Sequence, residues 1–403
     1  MKYIIILGDG MADEPIEKLG GKTVIEAAKT PYMDLLAKNG RCGMFATVPK
    51  GFKPGSEIAN MEVLGYSVAQ CFEGRGSLEA ASIGVDIKPG EMAMRCNIIC
   101  IEDEKIKNHS AGHISNEEAK VLIDYLQEKL GDDVFTFHNG ISYRHLLIMK
   151  GGDKRIICTP PHDVPGTPFR SVMVKAAVPE AQETADKLNE LTLKTQELLK
   201  NHPVNLKRMA EGKDPANSIW VWSPGYKPSM QTLAQKFGIK RGSVISAVDL
   251  IKGIGVYAGL KNIDVEGATG LYDTNYEGKA QAAINALKSG DDFVFLHVEA
   301  SDEAGHEGNV DLKIKTVEYL DSRIIGPIYE EVKNWDEPVT IAVLPDHPTP
   351  CAIKTHTANP IPFLIYYPGI EPDATTLYSE KEAEKGAYGL VKGDEFIKLV
   401  LND

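Results

Sequence analysis

The chain has 403 residues, of which 43% are hydrophobic and 25% are charged, and its formal net charge at pH 7 is −13. This length accommodates two domains with cores of their own, and the composition is that of an ordinary globular protein. The negative charge argues against a nucleic-acid or anionic-membrane surface. No apolar stretch of the sequence reaches the roughly 18 residues that a membrane span needs. We therefore expect no nucleic-acid partner and no membrane partner.

The cytoplasm is the expected location. The sequence enters an apolar strand pattern at Tyr3 and shows no signal-peptide pattern. The six cysteines form no C-x-x-C pair and no framework spacing, so reduced thiols are the default interpretation.

Three apolar runs, rich in β-branched residues, occupy residues 3–7, 293–298 and 339–344. Runs of this kind, separated by helical stretches, predict strands of a parallel sheet that is covered on both faces. Open sheets of this class bind ligands beyond the carboxyl ends of their strands, so the residues that follow the runs are expected to meet at one place. Those residues are Asp9, Asp302, His306, Asp346 and His347.

Aspartate and histidine without cysteine suit a borderline-hard divalent ion such as Mn²⁺ or Zn²⁺. The spacing from Asp302 to His306 puts both side chains on one face if the segment is helical. Asp346 and His347, followed by His356, supply the same two ligand types after another strand. A lone histidine is more often a satisfied core or surface residue, but this repetition favours a metal site. The nearby acidic residues interpreted as solvated loop charges are Asp13, Glu14 and Glu303.

The order of elements predicts one α/β domain that is split in sequence. From about Arg95 the pattern changes to short alternating strands and an amphipathic helix over residues 116–130, and a long polar helix follows over 179–201. The Gly-Lys-Asp-Pro run at 212–215 is typical of a boundary. The expected boundaries are 1–90 and 216–403 for the two parts of the α/β domain, and 91–215 for an inserted α+β cap.

Ser56 opens a predicted helix that runs to Leu64, after Pro54 and Gly55. One interpretation makes Ser56 the N-cap of that helix. The other is that the helix N-terminus supplies partial positive charge and N–H groups to a phosphate bonded to this serine. No histidine base lies nearby in sequence, so the second interpretation requires a metal ion that lowers the pKa of the hydroxyl. Two ions around a phosphoryl group would form a clamp for in-line displacement.

Short motifs spread along the chain extend this pattern. They are GDGMAD at 8–13, LGGKT at 19–23, PGS at 54–56, LGY at 64–66, GRG at 74–76, HPVN at 202–205, DEAGH at 302–306 and DHPTP at 346–350. Together they resemble the alkaline phosphatase superfamily, and more closely the archaeal-type 2,3-bisphosphoglycerate-independent phosphoglycerate mutases. The resemblance covers essentially the whole chain.

The resemblance implies an alkaline-phosphatase-like fold, in which helices sandwich a mostly parallel sheet and an inserted cap closes over the substrate. Residues 1–90 and 216–403 would be the metal-binding part, and residues 91–215 the substrate-binding cap. It also implies a phosphoserine at Ser56 and two divalent ions, with Mn²⁺ first and Zn²⁺ or Mg²⁺ as alternatives. The implied ligand sets are Asp302, His306 and His356 for one ion, and Asp9, Ser56, Asp346 and His347 for the other.

Motif similarity further suggests substrate contacts. His113, Arg144 and Asp163 resemble contacts from the cap, and Arg75 and Lys252 would complete an anion site. The alternative for each is an ordinary surface arginine or a satisfied polar residue.

The implied activity is metal-dependent phosphotransfer through Ser56, which interconverts 3- and 2-phosphoglycerate in glycolysis. Three departures from the mutase pattern bear on the substrate. The WSPG run at 222–225 stands where R-G-x-G is usual, residues 108–113 lack the usual arginines, and Glu57 replaces an aspartate. Fewer cap arginines weaken a site for phosphate plus carboxylate.

The same departures resemble a bacterial branch proposed to be homoserine kinases, which is the alternative function. Such an enzyme would use ATP in threonine biosynthesis, and without a Walker loop the ATP would be held at the metal pair. Two further alternatives are a plain phosphatase or sulfatase and a non-catalytic binding protein. The last predicts missing ligands, and all seven candidate ligands are present.

Overall fold

A computed structural model describes residues 1–402. The chain divides into two compact units. The first unit consists of Met1–Phe72 and Ser229–Asp403, and the second of Glu73–Pro228. The second unit is therefore inserted in sequence between the two segments of the first.

Residues 73–90 and 216–228, which we expected in the split domain, lie in the second unit. The reason is pairing between segments distant in sequence. Strand Ser218–Gly225 pairs antiparallel with Glu91–Glu102, and helix Arg75–Ser82 packs against both strands. The Gly-Lys-Asp-Pro run is thus an internal turn of that unit.

The first unit is built on an eight-stranded sheet. Strand Ile361–Tyr366 is antiparallel to both of its neighbours, and the other pairings in this sheet are parallel. The expected α/β class with a mostly parallel sheet is confirmed. In spatial order the strands are Lys261–Asn262, Gly242–Ile245, Phe293–Val298, Lys2–Gly8, Val339–Leu344, Ile361–Tyr366, Arg41–Ala46 and Leu390–Lys392.

The three apolar runs form the centre of this sheet. Strand Lys2–Gly8 lies between Phe293–Val298 and Val339–Leu344 and is parallel to both, in a register that brings their carboxyl ends level. The residues that follow the three strands consequently emerge at one edge of the sheet. This is the placement that the strand pattern predicts.

The central strands carry apolar side chains on both faces of the sheet, and helices pack on both faces and bury them. Ile4 and Ile6 pack in a core with the helical residue Leu320, whereas Ile5 and Leu7 point to the opposite face and are equally buried. The α-helices of this unit are Val24–Ala27, Pro31–Lys38, Ser56–Val63, Val68–Cys71, Leu233–Phe237, Asp249–Tyr257, Tyr276–Lys288, Ala300–Glu307, Val310–Leu320, Gly326–Val332, Glu380–Ala383 and Glu395–Leu401, with a 3₁₀ turn at Glu17–Leu19 and a π-helical turn at Asp321–Ile325.

A buried lysine ties the helix Val310–Leu320 to the loops beyond the strand ends. Lys313 is 0% exposed, and its Nζ donates to Ala12 O at 3.0 Å, Asp13 Oδ2 at 2.9 Å and Thr349 O at 2.9 Å. Asp13 is therefore not the solvated loop charge that we expected. It is the buried partner of a cation whose three hydrogen atoms are all used.

Replacing Lys313 by methionine should destabilise the protein by about 3–5 kcal/mol, because the change leaves the Asp13 carboxylate buried and unpaired. Lys18→Met is the matched control. Lys18 pairs with Asp311 at 2.7 Å, but the two side chains are 62% and 75% exposed, so its loss should cost less than about 1 kcal/mol. Denaturant unfolding of both variants measures the difference. Equal effects would contradict this account of Lys313.

The second unit contains an antiparallel five-stranded sheet and a two-stranded ribbon. The helix predicted over residues 116–130 has those bounds, and the predicted long helix starts as a 3₁₀ turn. The strands are Glu91–Glu102, Lys105–Asn108, Phe135–Ile141, Arg144–Lys150, Ser218–Gly225, Ile156–Ile157 and Lys175–Ala176. The helices are Arg75–Ser82, Asn116–Leu130, Gln182–Leu199 and Pro203–Ala210, with 3₁₀ turns at Pro161–Asp163, Phe169–Val172 and Pro179–Ala181.

Every helix within residues 1–402 is too short or too polar to cross a bilayer.

Candidate active site

Aspartates and histidines converge where the three central strands of the first unit end. Asp9 follows the first strand, and Asp346 and His347 follow the strand Val339–Leu344 after Pro345. Asp302 lies in the first turn of helix Ala300–Glu307, one of the helices that follow the central strands. These four side chains are at most 5% exposed.

Two overlapping groups of these residues have the spacing of metal-ligand sets. One is Asp302, His347 and His356, and the other is Asp9, Asp346 and His347, and within each group the ligand atoms lie within 4.8 Å of one another. His347 belongs to both. The resemblance implied His306 as the third member of the first set.

His306 also lies in this cluster. Its Nε2 is 3.2 Å from Asp302 Oδ2 and 2.9 Å from His356 Nε2, and His356 Nε2 is 3.3 Å from Asp302 Oδ1. The structure therefore brings together all seven candidate ligands, including Ser56, whose Oγ is 3.3 Å from His347 Nε2.

The buried carboxylates repel one another. Burial raises the pKa of Asp9 well above its usual value, and the nearby charges of Asp346 and Asp302 raise it further. Burial also opposes ionisation of Asp302, but hydrogen bonds from His306 and His356 outweigh it and lower its pKa. The same hydrogen bond raises the pKa of His306 to about 9. These raised pKa values mean that bound protons offset the negative charge of the cluster. A divalent cation would offset the same charge and so relieve the repulsion between the carboxylates.

Three observations fit these residues to divalent cations. Asp9 Oδ1 is buried without a hydrogen-bond partner, although a buried carboxylate oxygen normally has one. His306 Nδ1 lies 3.0 Å from Lys354 O, and a neutral ring that donates there would turn its Nε2 lone pair to a metal ion in place of the proton shared with Asp302. The donor set of carboxylate oxygens and imidazole nitrogens is one that Mn²⁺ and Zn²⁺ accept.

His347 is oriented in a similar way. Thr349 Oγ1 donates to Asp302 Oδ1 at 2.5 Å, so it can accept from His347 Nδ1, which is 3.3 Å away. The Nε2 lone pair of His347 then faces Ser56 Oγ and Asp9 Oδ1, at 3.3 Å and 3.7 Å. Burial lowers the pKa of His347, which favours the neutral ring that a metal ligand requires.

Ser56 is the first residue of helix Ser56–Val63, and Gly55 is the N-cap. The structure shows no capping hydrogen bond from a side chain at this terminus, so the interpretation of Ser56 as an N-cap is wrong. The reason is that its side chain points to His347 and not back to the helix backbone. The hydroxyl thus lies at the positive end of a helix and beside the ligand cluster.

Sequence reasoning missed the residues that hold Asp346. Its Oδ1 accepts from Gly10 N at 3.0 Å, and its Oδ2 accepts from Asn60 Nδ2 at 2.9 Å. Asn60 also donates to Ser56 O at 2.9 Å and is fully buried on the helix that Ser56 begins. The sequence feature that could have indicated this role is the position of Asn60, one helical turn after the candidate nucleophile Ser56.

Lys252 lies in helix Asp249–Tyr257 and pairs with Asp264 at 2.6 Å. Burial lowers the pKa of Lys279 to about 8, and the charge of Lys252 adds to this shift. Lys279 in turn donates to His297 O at 3.3 Å. The role of Lys252 in an anion site stays a prediction.

The second unit contains a group of basic and aromatic side chains. Arg95 packs over the Trp222 ring at 4.1 Å and pairs with Glu79 at 2.9 Å. Burial lowers the pKa of Arg95, Glu79 opposes this shift, and the charges of Arg75 and Arg144 add to it. The charges of two other arginines therefore act on Arg95, which was not among our candidates.

Two histidines extend this group. The His162 ring is 5.3 Å from the Trp222 ring and 6.0 Å from the His109 ring. Asp163 Oδ1 is 3.5 Å from His162 Nε2. His113 contributes to the lowered pKa of His109, after burial and His162. Four of the predicted substrate contacts interact with this group of side chains in the second unit: Arg75, His113, Arg144 and Asp163.

The fold and the site together define an α/β protein with an aspartate–histidine cluster beside a helix-terminal serine. The family described as 2,3-bisphosphoglycerate-independent phosphoglycerate mutase matches residues 37–205. Relatives of that name from Methanosarcina barkeri and Methanosarcina mazei are each 51% identical over 403 residues, with all of this chain and 99% and 100% of the relatives covered. A solved structure from Pyrococcus horikoshii is 31% identical, with 100% of this chain and 96% of that chain covered at a TM-score of 0.83.

The chain therefore belongs to the 2,3-bisphosphoglycerate-independent phosphoglycerate mutase family. The resemblance inferred from the motifs is confirmed.

Proposed function

We propose that this protein is a phosphoglycerate mutase that interconverts 3- and 2-phosphoglycerate through a phosphoserine at Ser56. The observation that carries the proposal is the position of the Ser56 hydroxyl, at a helix N-terminus and 3.3 Å from His347 Nε2 within the candidate ligand cluster. The names of the full-length relatives support the same activity. We assign the reaction to glycolysis and to the cytoplasm.

Two divalent ions, with Mn²⁺ the first choice, would be held by the two ligand sets. Asp302, His306 and His356 would hold one, and Asp9, Ser56, Asp346 and His347 the other. Such ions would lower the pKa of the serine hydroxyl and neutralise phosphoryl charge. Carboxylate-rich sets favour Mn²⁺ or Mg²⁺ and imidazole favours Zn²⁺, so the mixed donors suit Mn²⁺.

The reaction has two transfers. In the first, Ser56 Oγ gives up its proton and bonds to phosphorus, the bond from phosphorus to O3 of the substrate breaks, and O3 takes up a proton. In the second, the O2 hydroxyl of the glycerate bonds to phosphorus and gives up its proton, the bond from phosphorus to Ser56 Oγ breaks, and Oγ takes up a proton. The N-terminal N–H groups of the Ser56–Val63 helix provide positive potential for the phosphoryl group in both steps.

The basic group in the second unit favours a substrate with two anionic groups. The charges of Arg75 and Arg144 both act on Arg95, and guanidinium groups bind phosphate and carboxylate in bidentate geometry. This supports phosphoglycerate as the small phosphorylated substrate.

Homoserine kinase is the second candidate, and Trp222 is the observation that favours it. The resemblance predicts an arginine in this stretch, where the structure has an indole ring that donates to Asn97 Oδ1 at 3.1 Å. Losing one charge-assisted contact would weaken anion binding by roughly 10- to 150-fold. A kinase would transfer phosphate from ATP to the hydroxyl of homoserine.

Two assays on one Mn²⁺-loaded preparation separate these candidates. The mutase proposal predicts 2-phosphoglycerate from 3-phosphoglycerate in the absence of ATP, and no ATP-dependent phosphohomoserine. The opposite pair of results would replace the mutase by the kinase and leave the role of Ser56 intact. Absence of both activities would contradict the proposed function.

A further inference from the structure

A histidine lies inside one of the apolar runs that form the centre of the sheet. His297 belongs to strand Phe293–Val298, and its side chain is 0% exposed. A buried imidazole needs hydrogen-bond partners for both ring nitrogens. The metal sets and the serine chemistry described above leave this residue without a role.

Both nitrogens of His297 have partners. Nε2 is 2.8 Å from Asp9 Oδ2, and Nδ1 is 3.1 Å from Ser246 Oγ. The ionised Asp9 carboxylate that a metal ligand requires can only accept, so Nε2 of His297 carries the hydrogen and donates it. Nδ1 is then the acceptor for the Ser246 hydroxyl, whose oxygen accepts from Val248 N at 3.0 Å. The chain of donors runs in one direction, from Val248 through Ser246 and His297 to Asp9.

This chain fixes one oxygen of Asp9 and leaves the other available. Oδ2 is held by His297, whereas Oδ1 is buried without a hydrogen-bond partner and lies 3.7 Å from His347 Nε2. The main chain at Asp9 is also held, because its N–H donates to Val298 O at 2.9 Å and its carbonyl accepts from Ser301 Oγ at 2.5 Å. The carboxylate therefore has a single orientation, with Oδ1 toward the ligand cluster.

We propose that His297, supported by Ser246, is a positioning residue that presents Asp9 Oδ1 to the ion of the second ligand set. The inference rests on the proposed metal centre and adds the group that orients one of its ligands. Hydrogen-bond partners of metal ligands typically contribute 10- to 100-fold to metal affinity. His297 acts through Asp9 and needs no contact with the substrate.

Two conservative variants test the proposal. In His297→Gln the side-chain amide nitrogen takes the place of Nε2 and can still donate to Asp9, whereas the shorter amide in His297→Asn reaches only toward Ser246. Titration of metal-depleted protein with Mn²⁺ should show wild-type affinity at both sites for His297→Gln. For His297→Asn it should show one site weakened by about 10- to 100-fold.

Unfolding of the metal-free variants separates positioning from a merely structural role. If His297→Asn lowers the melting temperature but binds Mn²⁺ as tightly as wild type at both sites, the positioning role is wrong. Equal weakening in both variants also contradicts it, because rescue by glutamine is its specific prediction. Wild-type protein that binds no Mn²⁺ would overturn the proposed metal centre itself, and this inference with it.

Discussion

Ser56→Ala should abolish turnover while leaving the protein folded. The substitution removes the only protein atom proposed to bond to phosphorus, so activity should fall to the background of the assay. Stability should change little, because the Ser56 side chain makes no capping hydrogen bond. Intact-protein mass spectrometry with 3-phosphoglycerate should show one added phosphate on the wild type and none on the variant.

Ser115→Ala is the matched control for a serine at a helix start. Ser115 caps helix Asn116–Leu130 by accepting from Glu118 N at 3.2 Å, so its loss should cost about 1 kcal/mol of stability. It should leave both turnover and phosphorylation unchanged. Residual turnover in Ser56→Ala at the level of Ser115→Ala would show that another group is the nucleophile.

Removing one histidine from each ligand set should remove about one ion per chain. His306→Ala should affect the set that contains Asp302, and His347→Ala the set that contains Asp9. The loss of either ion removes several kcal/mol of stabilisation of the phosphoryl charge in the transition state, so activity should fall by roughly 10²- to 10⁴-fold. His347→Ala should have the larger effect, because this histidine also lies 3.3 Å from the Ser56 hydroxyl.

Metal content is the direct measurement for these variants. A chelator should abolish wild-type activity, and added Mn²⁺ should restore it. His202→Ala is the control, because His202 accepts from Val204 N at the start of helix Pro203–Ala210 and belongs to neither set. Two tightly bound ions in both His306→Ala and His347→Ala, or full activity in excess chelator, would refute the two-metal arrangement.

The elements predicted best were those with a long and consistent pattern. The strands over residues 293–298 and 339–344 and the helix over 116–130 have the predicted bounds. Two of these are apolar runs buried on both faces, and the third is a four-turn amphipathic helix with a serine N-cap. In these elements the sequence pattern and the tertiary packing favour the same secondary structure.

The division between the two units depends on strand pairing that the sequence does not display. Strand Ser218–Gly225 pairs with a strand more than a hundred residues earlier, so composition alone could not assign it to the second unit. Asp13 looked like a loop charge because its partner, Lys313, is 300 residues away. Long-range contacts of this kind override local pattern.

The candidate ligands were predictable, but the residues that orient them were not. Strand ends in a parallel sheet converge by geometry, so Asp9 and Asp346 could be grouped from the sequence. His297, by contrast, counted as part of an apolar run, and Asn60 as a residue inside a helix. Their hydrogen bonds to Asp9 and Asp346 follow from packing alone.

The most direct test of phosphoryl transfer without hydrolysis, which a phosphoserine at Ser56 requires, is the fate of the phosphate in ¹⁸O-labelled water. The Mn²⁺-loaded protein would be incubated with 3-phosphoglycerate, without ATP, and the products followed by ³¹P NMR. Transfer to Ser56 and back predicts 2-phosphoglycerate with no ¹⁸O on phosphorus and no accumulation of inorganic phosphate. Labelled inorganic phosphate as the sole product would show hydrolysis in place of mutase chemistry and would contradict the account.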